Sequence, residues 1–270
     1  PVFSYIPPSA WAWRKGRAKA CAALADEIVA IFPHELPPYE AAGANISFVG
    51  NPLIDTVHAE MEPEEARIHF GIRAEDVPIL LMPGSRREEI ERLLPPMLDA
   101  AEILAAEDPA RRFFLPVAGG VDVTQIEGHL AVSSVTVTLT HDARYALMDI
   151  ARAAIAASGT VVMEAAIMGL PAVILYRMSA LSYFVGRLLV DVPRFSLPNI
   201  LVGETFETEL LQDEVQPERI AEAMDRIIAD SADRAYVMDC LARAVAKLGE
   251  PNAARRVAEK ILALARTSET

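Results

Sequence analysis

A short turn that carries two arginines separates a predicted strand from a predicted helix. Residues 79–82 are an apolar run, residues 83–87 read Pro-Gly-Ser-Arg-Arg, and an apolar face with helical spacing begins at Ile90. The start of a helix presents unpaired backbone N–H groups and the positive end of the helix dipole. The chain therefore offers a place where an anion such as a diphosphate would be stabilised.

Four residues of this turn have a backbone or side chain suited to phosphate. Gly84 allows a ligand to approach the backbone closely, and Ser85 is able to cap the helix or bind an oxygen. Arg86 and Arg87 supply positive charge and hydrogen-bond donors. An ordinary capped strand–helix junction with exposed arginines has the same composition, so the motif by itself leaves both interpretations open.

A second strand–turn–helix junction has the same character. Small apolar residues lead into Ser158, Gly159 and Thr160, whose hydroxyls and backbone N–H groups lie at a predicted helix start. Glu164 follows Thr160 by one helical turn, where its carboxylate is able to accept both hydroxyls of a ribose. A capped helix with a surface glutamate is the alternative. Two such helix starts are a stronger indication than one, because open α/β sheets bind ligands at the carboxyl ends of their strands.

Composition and absent motifs exclude several classes of protein. The 270 residues carry a formal net charge of −13, which argues against non-specific binding of nucleic acid by the whole chain. Cys21 and Cys240 form no CxxC pair, so a reduced compartment is favoured over a disulfide scaffold. The sequence has no dinucleotide-fold glycine motif, P-loop, GxSxG elbow or histidine spacing typical of metal ligands. We expect no metal and no cofactor, so arginines and helix starts would neutralise phosphate charge.

Two polar residues in the segment 176–212 suit a nucleotide. Asn199 follows Pro198 in a predicted loop, and Gln212 follows the run Glu209–Leu211. The side-chain amide of each is able to contact a base or a phosphate. Apolar residues between 181 and 189 have helical spacing, which indicates a core helix or, alternatively, a surface that meets acyl chains or a bilayer.

Both tryptophans of the chain lie in a basic stretch near its start. The segment 11–19 contains Trp11, Trp13, Arg14 and Arg17 in a chain that is otherwise acidic. Basic residues interleaved with aromatic ones suit an anionic lipid surface or a phosphorylated acceptor. A solvated basic helix with packed tryptophans is the competing interpretation.

Strand-like and helical segments alternate along most of the chain, which predicts βαβ units and parallel, doubly wound sheets. We place a first domain at residues 1–74, a second at 75–230, and C-terminal helices at 231–270 that pack back towards the first. Pro1 opens a predicted strand without an initiator Met or a cap. We therefore expect the first domain to be incomplete here, with the true N-terminus further upstream, and processing of a precursor is the alternative explanation.

Six segments together resemble the lipid-A-disaccharide synthase family, which comprises glycosyltransferases of the GT-B type from Gram-negative bacteria. They run in the family's order as SYIPPSAWAWRKGR (4–17), FVGNPLID (48–55), LMPGSRREEIERLLPPML (81–98), ASGTVVMEAAIMGLPAVILYRMS (157–179), FSLPNILVG (195–203) and ELLQDE (209–214). The resemblance implies two Rossmann-like domains and a cytoplasmic enzyme peripherally associated with the inner membrane.

The resemblance also implies a reaction. A 2,3-diacylglucosamine unit would pass from UDP-2,3-diacylglucosamine to 2,3-diacylglucosamine 1-phosphate (lipid X), with inversion. The products would be the β(1→6)-linked lipid A disaccharide 1-phosphate and UDP. A general base would act on the acceptor 6-hydroxyl, while electrostatic interactions stabilise the departing UDP.

Roles for particular residues follow from the same resemblance. Arg86 would stabilise the leaving diphosphate, and Glu164 would bind the ribose. The residues that would bind the rest of the donor are Gly84, Ser85, Arg87, Ser158, Gly159, Thr160, Asn199 and Gln212. Those that would face the acceptor or an anionic membrane surface are Trp11, Trp13, Arg14 and Arg17.

The chain departs from the family's pattern in two places. The family's glycine-rich acceptor loop and proposed catalytic aspartate precede the segment that matches Ser4, so we assign no general base and expect this polypeptide alone to be inactive. Residues 206–208 read Phe-Glu-Thr, where the family has a more apolar, proline-containing stretch.

Other interpretations stay open at this point. The chain could belong to another UDP-sugar enzyme of the GT-B type, namely the peptidoglycan N-acetylglucosaminyl transferase or a UDP-N-acetylglucosamine 2-epimerase. It could also be a nucleotide-binding module without catalysis. Association of this chain with further copies of itself into a homo-oligomer also stays open.

Overall fold

The structure is a computed structural model that describes residues 1–10, 16–178 and 193–267. Packing divides the chain into two compact units. As far as it is described, unit 1 holds residues 1–56 and 244–267 with Pro193, and unit 2 holds residues 57–178 and 194–243.

Unit 1 contains a parallel three-stranded sheet with the strand order β1–β2–β3. The elements up to residue 56 are β1 (Phe3–Tyr5), α1 (Gly16–Leu24), β2 (Glu27–Ala30), α2 (Leu36–Glu40), β3 (Ile46–Phe48) and α3 (Leu53–Thr56). Tyr39 and Ile28 are buried between the sheet and its helices, together with Ala18. Strands joined through helices are the arrangement that parallel pairing requires.

Unit 2 contains a parallel six-stranded sheet with the order β6–β5–β4–β7–β8–β9. The strands are β4 (Val77–Met82), β5 (Arg111–Pro116), β6 (Val137–Thr140), β7 (Ala153–Ala157), β8 (Ala172–Tyr176) and β9 (Glu209–Leu211). Leu80 pairs with Phe114 on one side and with Ala154 on the other, which fixes the register at the centre of the sheet.

Helices of unit 2 precede, connect and follow these strands. They are α4 (Pro63–His69), α5 (Arg87–Glu107), α6 (Val123–Leu130), α7 (Arg144–Ile150), α8 (Thr160–Ile167), α9 (Leu197–Val202) and α10 (Pro217–Ile228). Two further helices, α11 (Ala232–Ala246) and α12 (Ala253–Thr267), complete the described part of the chain. Helix α11 begins in unit 2 and ends in unit 1, and α12 belongs to unit 1.

The core of unit 2 lies around the two central strands. All five residues of β7 are buried, and so are five of the six residues of β4. Strands covered on both faces are typical of a parallel sheet with helices on each side, and their near-continuous apolar sequences follow from that position. The predicted α/β class with parallel sheets is confirmed by these elements.

The strand order reverses between β4 and β7. From β4 the chain proceeds outward through β5 to β6, and it then returns to place β7 beside β4 on the other side. In open α/β sheets, a crevice forms at such a switch point, outside the carboxyl ends of the strands. The crevice between the ends of β4 and β7 is therefore the expected ligand site.

Some features differ from the sequence-based predictions. The pattern did not predict β9, a strand of only three residues. The prediction that Asn199 lies in a loop is wrong, because Pro198 occupies the first turn of α9 and is compatible with that position. The apolar segment 181–189 lies outside the described residues.

The boundaries of the two compact units also differ from the predicted domain boundaries. The units change at residues 56 and 57 rather than at 74, because α4 packs against α7 and so belongs with unit 2. They change again within α11 rather than at residue 230. The domain assignment of 1–74, 75–230 and 231–270 stays a prediction.

Candidate functional site

A cavity of about 320 Å³ lies at the switch point of unit 2. It joins the carboxyl ends of β4 and β7 and is also lined by the end of β5 and the start of α7. The predicted site residues that line it are Gly84, Ser85, Arg86, Ser158, Gly159, Thr160 and Glu164. The structure thus brings the two junctions found in the sequence into one cavity.

The first junction is shaped by contacts between the turn and helix α5. Gly84 has a φ of +106°, and a Cβ at this position would lie 2.5 Å from Oε2 of Glu89. Both the positive φ and the close approach of Glu89 require glycine here. The space that glycine leaves is occupied by Glu89, so the structure assigns Gly84 to the shape of the turn.

Arg86 immediately precedes helix α5 and extends into solvent. Its side chain is 81% exposed, and Nη1 donates to Oε1 of Glu89 at 2.6 Å. The backbone N–H of Arg86 donates to Oε2 of the same glutamate at 3.3 Å. Exposed ion pairs contribute little stability, so little free energy would be lost if an anion replaced Glu89 at the guanidinium.

The second junction is open where a ligand would approach it. Ser158 donates its hydroxyl to the carbonyl of Phe195 at 3.4 Å, and Gly159 is the last residue before helix α8. The φ of Gly159 is 169°, which is ordinary extended backbone, and a Cβ there would meet no atom within 4 Å. The first two residues of α8, Thr160 and Val161, have backbone N–H groups without an i−4 partner in the helix, and both residues line the cavity.

Glu164 lies one turn into α8 and has 9% of its surface exposed. Its two carboxylate oxygens each lie 3.4 Å from Nη2 of Arg144, the first residue of α7. Burial raises the pKa of the Glu164 carboxyl, and the charge of Arg144 lowers it. The cavity therefore contains a buried carboxylate whose ionised form depends on a neighbouring cation.

Asn199 does not reach the cavity. Its side chain is fully buried and has hydrogen-bond partners for both of its polar atoms. Nδ2 donates to the Glu207 carbonyl at 2.9 Å and to Oε1 of Glu209 at 2.7 Å, while Oδ1 accepts from the backbone N–H groups of Phe206 and Glu207. The structure assigns this side chain to the support of the segment that follows α9.

Gln212 lies beyond the end of β9 and forms hydrogen bonds with the chain that leaves β8. Oε1 accepts from the backbone N–H of Met178 at 2.7 Å, and Nε2 donates to the Met178 carbonyl at 3.2 Å. Arg177 donates to the backbone carbonyl of Gln212 at 3.3 Å. Gln212 thus connects two strand ends and does not line the switch-point cavity.

The remaining predicted residues lie elsewhere. Arg87 lines a separate groove beside the start of α6, which also contains Ser85. Trp11, Trp13 and Arg14 lie outside the described residues, and Arg17 lies on α1 in unit 1.

Among the described residues, no cluster of three or more histidine, cysteine, aspartate or glutamate side chains is arranged to hold a metal ion.

Sequence reasoning missed Arg144 and Glu89, which line the cavity beside the predicted residues. Arg144 begins α7, the helix that returns the chain from β6 at the edge of the sheet to β7 at the switch point. Glu89 is the third residue of α5, three positions after Arg86, and this spacing of a glutamate behind a helix start contained a usable indication. In the described part of the chain, no helix is both long and apolar enough to cross a membrane.

The fold resembles several solved structures of UDP-sugar enzymes. UDP-GlcNAc 2-epimerase from Neisseria meningitidis bound to UDP-GlcNAc matches with a TM-score of 0.61 and 16% identity, over 89% of this chain and 62% of that one. Anabaena HepE in complex with UDP-glucose matches with a TM-score of 0.54 and 13% identity, over 97% of this chain and 72% of that one. This chain is thus shorter than either, and at such low identity the likeness shows the fold, which is of the GT-B type.

Sequence comparison is more specific than the fold. The family model described as lipid-A-disaccharide synthetase matches residues 1–263. Lipid-A-disaccharide synthase from Syntrophus aciditrophicus is 40% identical over all of this chain and 70% of its own length. The synthase from Geobacter metallireducens is 41% identical over 97% of this chain and 68% of its own length. The chain belongs to the lipid-A-disaccharide synthase family, a family of glycosyltransferases, and this confirms the resemblance found in the sequence.

Proposed function

We propose that the switch-point cavity binds the UDP part of UDP-2,3-diacylglucosamine, the donor of a transfer reaction in lipid A biosynthesis. One observation carries the proposal: two helix starts, an exposed arginine and a buried carboxylate line a single cavity. Solved proteins of the same fold contain UDP-GlcNAc or UDP-glucose, which supports a nucleotide of this kind. Family membership supports the diacylated sugar over the substrate of an epimerase.

Each part of UDP has a complementary group in the cavity. The diphosphate would bind between Arg86 and the start of α8, where Ser158 and Thr160 add hydroxyl groups to the backbone N–H donors. The ribose would donate its two hydroxyls to the carboxylate of Glu164. The guanidinium of Arg86 and the helix dipole of α8 would balance the phosphate charge.

The proposed reaction transfers the diacylglucosamine unit to lipid X with inversion and releases UDP. Negative charge grows on the diphosphate as the glycosidic bond breaks, so Arg86 would bind the transition state more strongly than the ground state. A general base would remove the proton from the acceptor 6-hydroxyl. We assign no described residue to that role, and we propose that this chain by itself binds UDP without transferring the sugar.

The acceptor side is proposed from the sequence. The basic and aromatic segment 11–19 would face lipid X or an anionic membrane surface, which suits a peripheral enzyme whose substrates have acyl chains. Arg17, the one of its four named residues that is described, lies on the α1 helix of unit 1. An assay of the full gene product with UDP-2,3-diacylglucosamine and lipid X would test this substrate pair, and formation of the disaccharide is the expected result.

Replacing Gly159 by alanine tests the donor site directly. We expect the G159A chain to bind UDP roughly tenfold more weakly, because the new methyl group would occupy space that the phosphate needs. The fold should tolerate the change, since the backbone is extended at Gly159 and a Cβ meets no atom within 4 Å. Isothermal titration calorimetry with UDP measures the affinity, and thermal unfolding measures the stability.

Gly128→Ala is the matched control. Gly128 lies in helix α6, where a Cβ also meets no atom within 4 Å, and it does not line the cavity. The G128A chain should keep the parent's affinity for UDP. Equal affinity of the parent and G159A would show that the phosphate does not approach α8, and absence of UDP binding by the folded parent would reject the proposed function.

A further inference from the structure

Glu164 requires a partner in order to act as a hydrogen-bond acceptor. A carboxylate with only 9% of its surface exposed loses most of its hydration, which favours its neutral form. Only the ionised form presents acceptors alone and is able to receive both hydroxyls of a ribose. Within the described residues, the side chain that contacts this carboxylate is that of Arg144, at 3.4 Å from each oxygen.

Arg144 is itself held in place from two sides. Its Nη2 donates to the hydroxyl of Tyr145 at 2.6 Å, and its guanidinium carbon lies 4.6 Å from the centre of the Tyr145 ring. The backbone of α7 is fixed by Glu60, whose carboxylate accepts from the N–H groups of Ala146 at 2.7 Å and Tyr145 at 3.5 Å. These contacts reduce the number of positions that a half-exposed arginine would otherwise sample.

We propose that Arg144 is a positioning residue that keeps Glu164 ionised and oriented towards the ribose of the bound nucleotide. The inference rests on the proposed UDP site and adds a residue that the sequence did not indicate. Arg144 lines both the switch-point cavity and an adjoining cavity of about 290 Å³ next to the end of β6. It acts through Glu164, so its effect depends on the ribose and on pH.

The charged groups around Glu164 set the expected pH dependence. Burial raises the pKa of Glu164 and Arg144 lowers it. Arg86 and Glu89 line the same cavity as an ion pair, and the carboxylate of Glu60 interacts with Arg144 from the adjoining cavity. The other titratable groups that line the adjoining cavity are His141 and Asp142. Loss of Arg144 therefore removes the charge that lowers the pKa of Glu164 and allows that pKa to rise.

The test compares UDP affinity across pH in the parent, R144A and R144K chains. Binding to the parent should weaken as pH falls through the pKa of Glu164, and in R144A this loss should begin at a higher pH. We expect R144A to bind UDP more weakly than the parent at acidic pH, because a larger fraction of Glu164 is then neutral in the variant. The difference should shrink as pH rises. R144K keeps a positive charge and should restore most of the affinity.

Two further measurements distinguish positioning from other roles. In an E164Q background the R144A change should cost little, and 2′-deoxy-UDP, which lacks one of the two hydroxyls, should show a much smaller effect of R144A than UDP. A loss that is the same at every pH, in both backgrounds and with both nucleotides would overturn the proposal, since Arg144 would then bind the ligand itself or support the fold. The control is R226A, which removes an exposed arginine on α10 and should change none of these values.

These outcomes are separable from failure of the proposed function. If the parent does not bind UDP, the UDP site itself is wrong. If the parent binds UDP and G159A weakens binding while R144A has no pH-dependent effect, the UDP site stands and only the role of Arg144 is rejected. Thermal unfolding of each variant shows whether the chain remains folded.

Discussion

Replacing Arg86 by alanine is expected to weaken UDP binding roughly tenfold to a hundredfold. Hydrogen bonds between a guanidinium and a phosphate contribute about 1.5–3 kcal/mol, and a diphosphate has oxygens that can form a bidentate contact with the guanidinium. The parent must first release Glu89 from Arg86, which reduces the net gain slightly. Calorimetric titration with UDP measures the change. Stability should differ little, because the side chain is 81% exposed.

Comparing nucleotides of different length shows which part of UDP Arg86 contacts. R86A should weaken UDP more than UMP, and uridine least, because the arginine is proposed to contact the diphosphate. R86K retains the charge without the planar fork and should fall between the parent and R86A. R226A again serves as the control, since Arg226 forms a comparable exposed ion pair with Glu222. If R86A binds UDP as tightly as the parent, the diphosphate has been assigned to the wrong residue.

The two junctions could be predicted from the sequence because their physics is local. An apolar run, a glycine turn and a helical pattern are sufficient to indicate a strand that ends at a helix start. At Ser158–Thr160 and at Gly84–Arg86 the structure has this arrangement. Their meeting in one cavity depends on the strand order, which periodicity alone does not determine.

Arg144 and Asn199 show where local reasoning fails. Arg144 follows an unremarkable strand, and its contact with Glu164 exists because β6, β5, β4 and β7 lie in that order. Asn199 follows a proline, which suggested a loop and an accessible amide. Proline is equally suited to the first turn of a helix, and the amide is buried by residues that lie eight and ten positions later in the chain.

The sequence motif around Gly84 could not determine the role of this glycine either. A glycine beside two arginines suggested room for a phosphate at the backbone. The structure fills that room with the side chain of Glu89, and the positive φ gives a second, independent requirement for glycine. At Gly159 the situation is reversed, because the backbone has no conformational need for glycine and the space beside it is open. Only the surroundings of each glycine distinguish these two cases.

The segment 206–208 contains a buried carboxyl group, that of Glu207. Glu207 is 2% exposed, and its Oε1 accepts from the backbone N–H of Ala172 at 3.0 Å. Its Oε2 is buried and has no hydrogen-bond partner in the described part of the chain. Burial, opposed by the hydrogen bond from Ala172 and assisted by the nearby charge of Glu209, raises the pKa of Glu207 to about 8.

Replacing Glu207 by glutamine should stabilise the chain in a pH-dependent way. The folded state keeps Glu207 neutral up to about pH 8, whereas the unfolded state ionises near 4.5. Between these values the unfolded state holds fewer protons, so the parent loses stability as pH rises and loses no more above about 8. Glutamine imitates the protonated acid and does not titrate, and the gain of E207Q should grow from near zero at pH 4.5 to roughly 2–4 kcal/mol at pH 8.

Urea unfolding of the parent and E207Q at several pH values measures this difference, and the comparison cancels the titration of all other groups that the two chains share. Glu127→Gln, an exposed change on helix α6, should give a difference that is small at every pH. A gain for E207Q that is the same at pH 5 and pH 8 would mean that Glu207 does not change its charge on folding. A loss of stability at pH 8 would mean that Glu207 is ionised in the folded chain and that a favourable interaction stabilises its charge. Replacing a stabilised carboxylate by glutamine costs free energy, whereas replacing a carboxyl that burial keeps neutral does not.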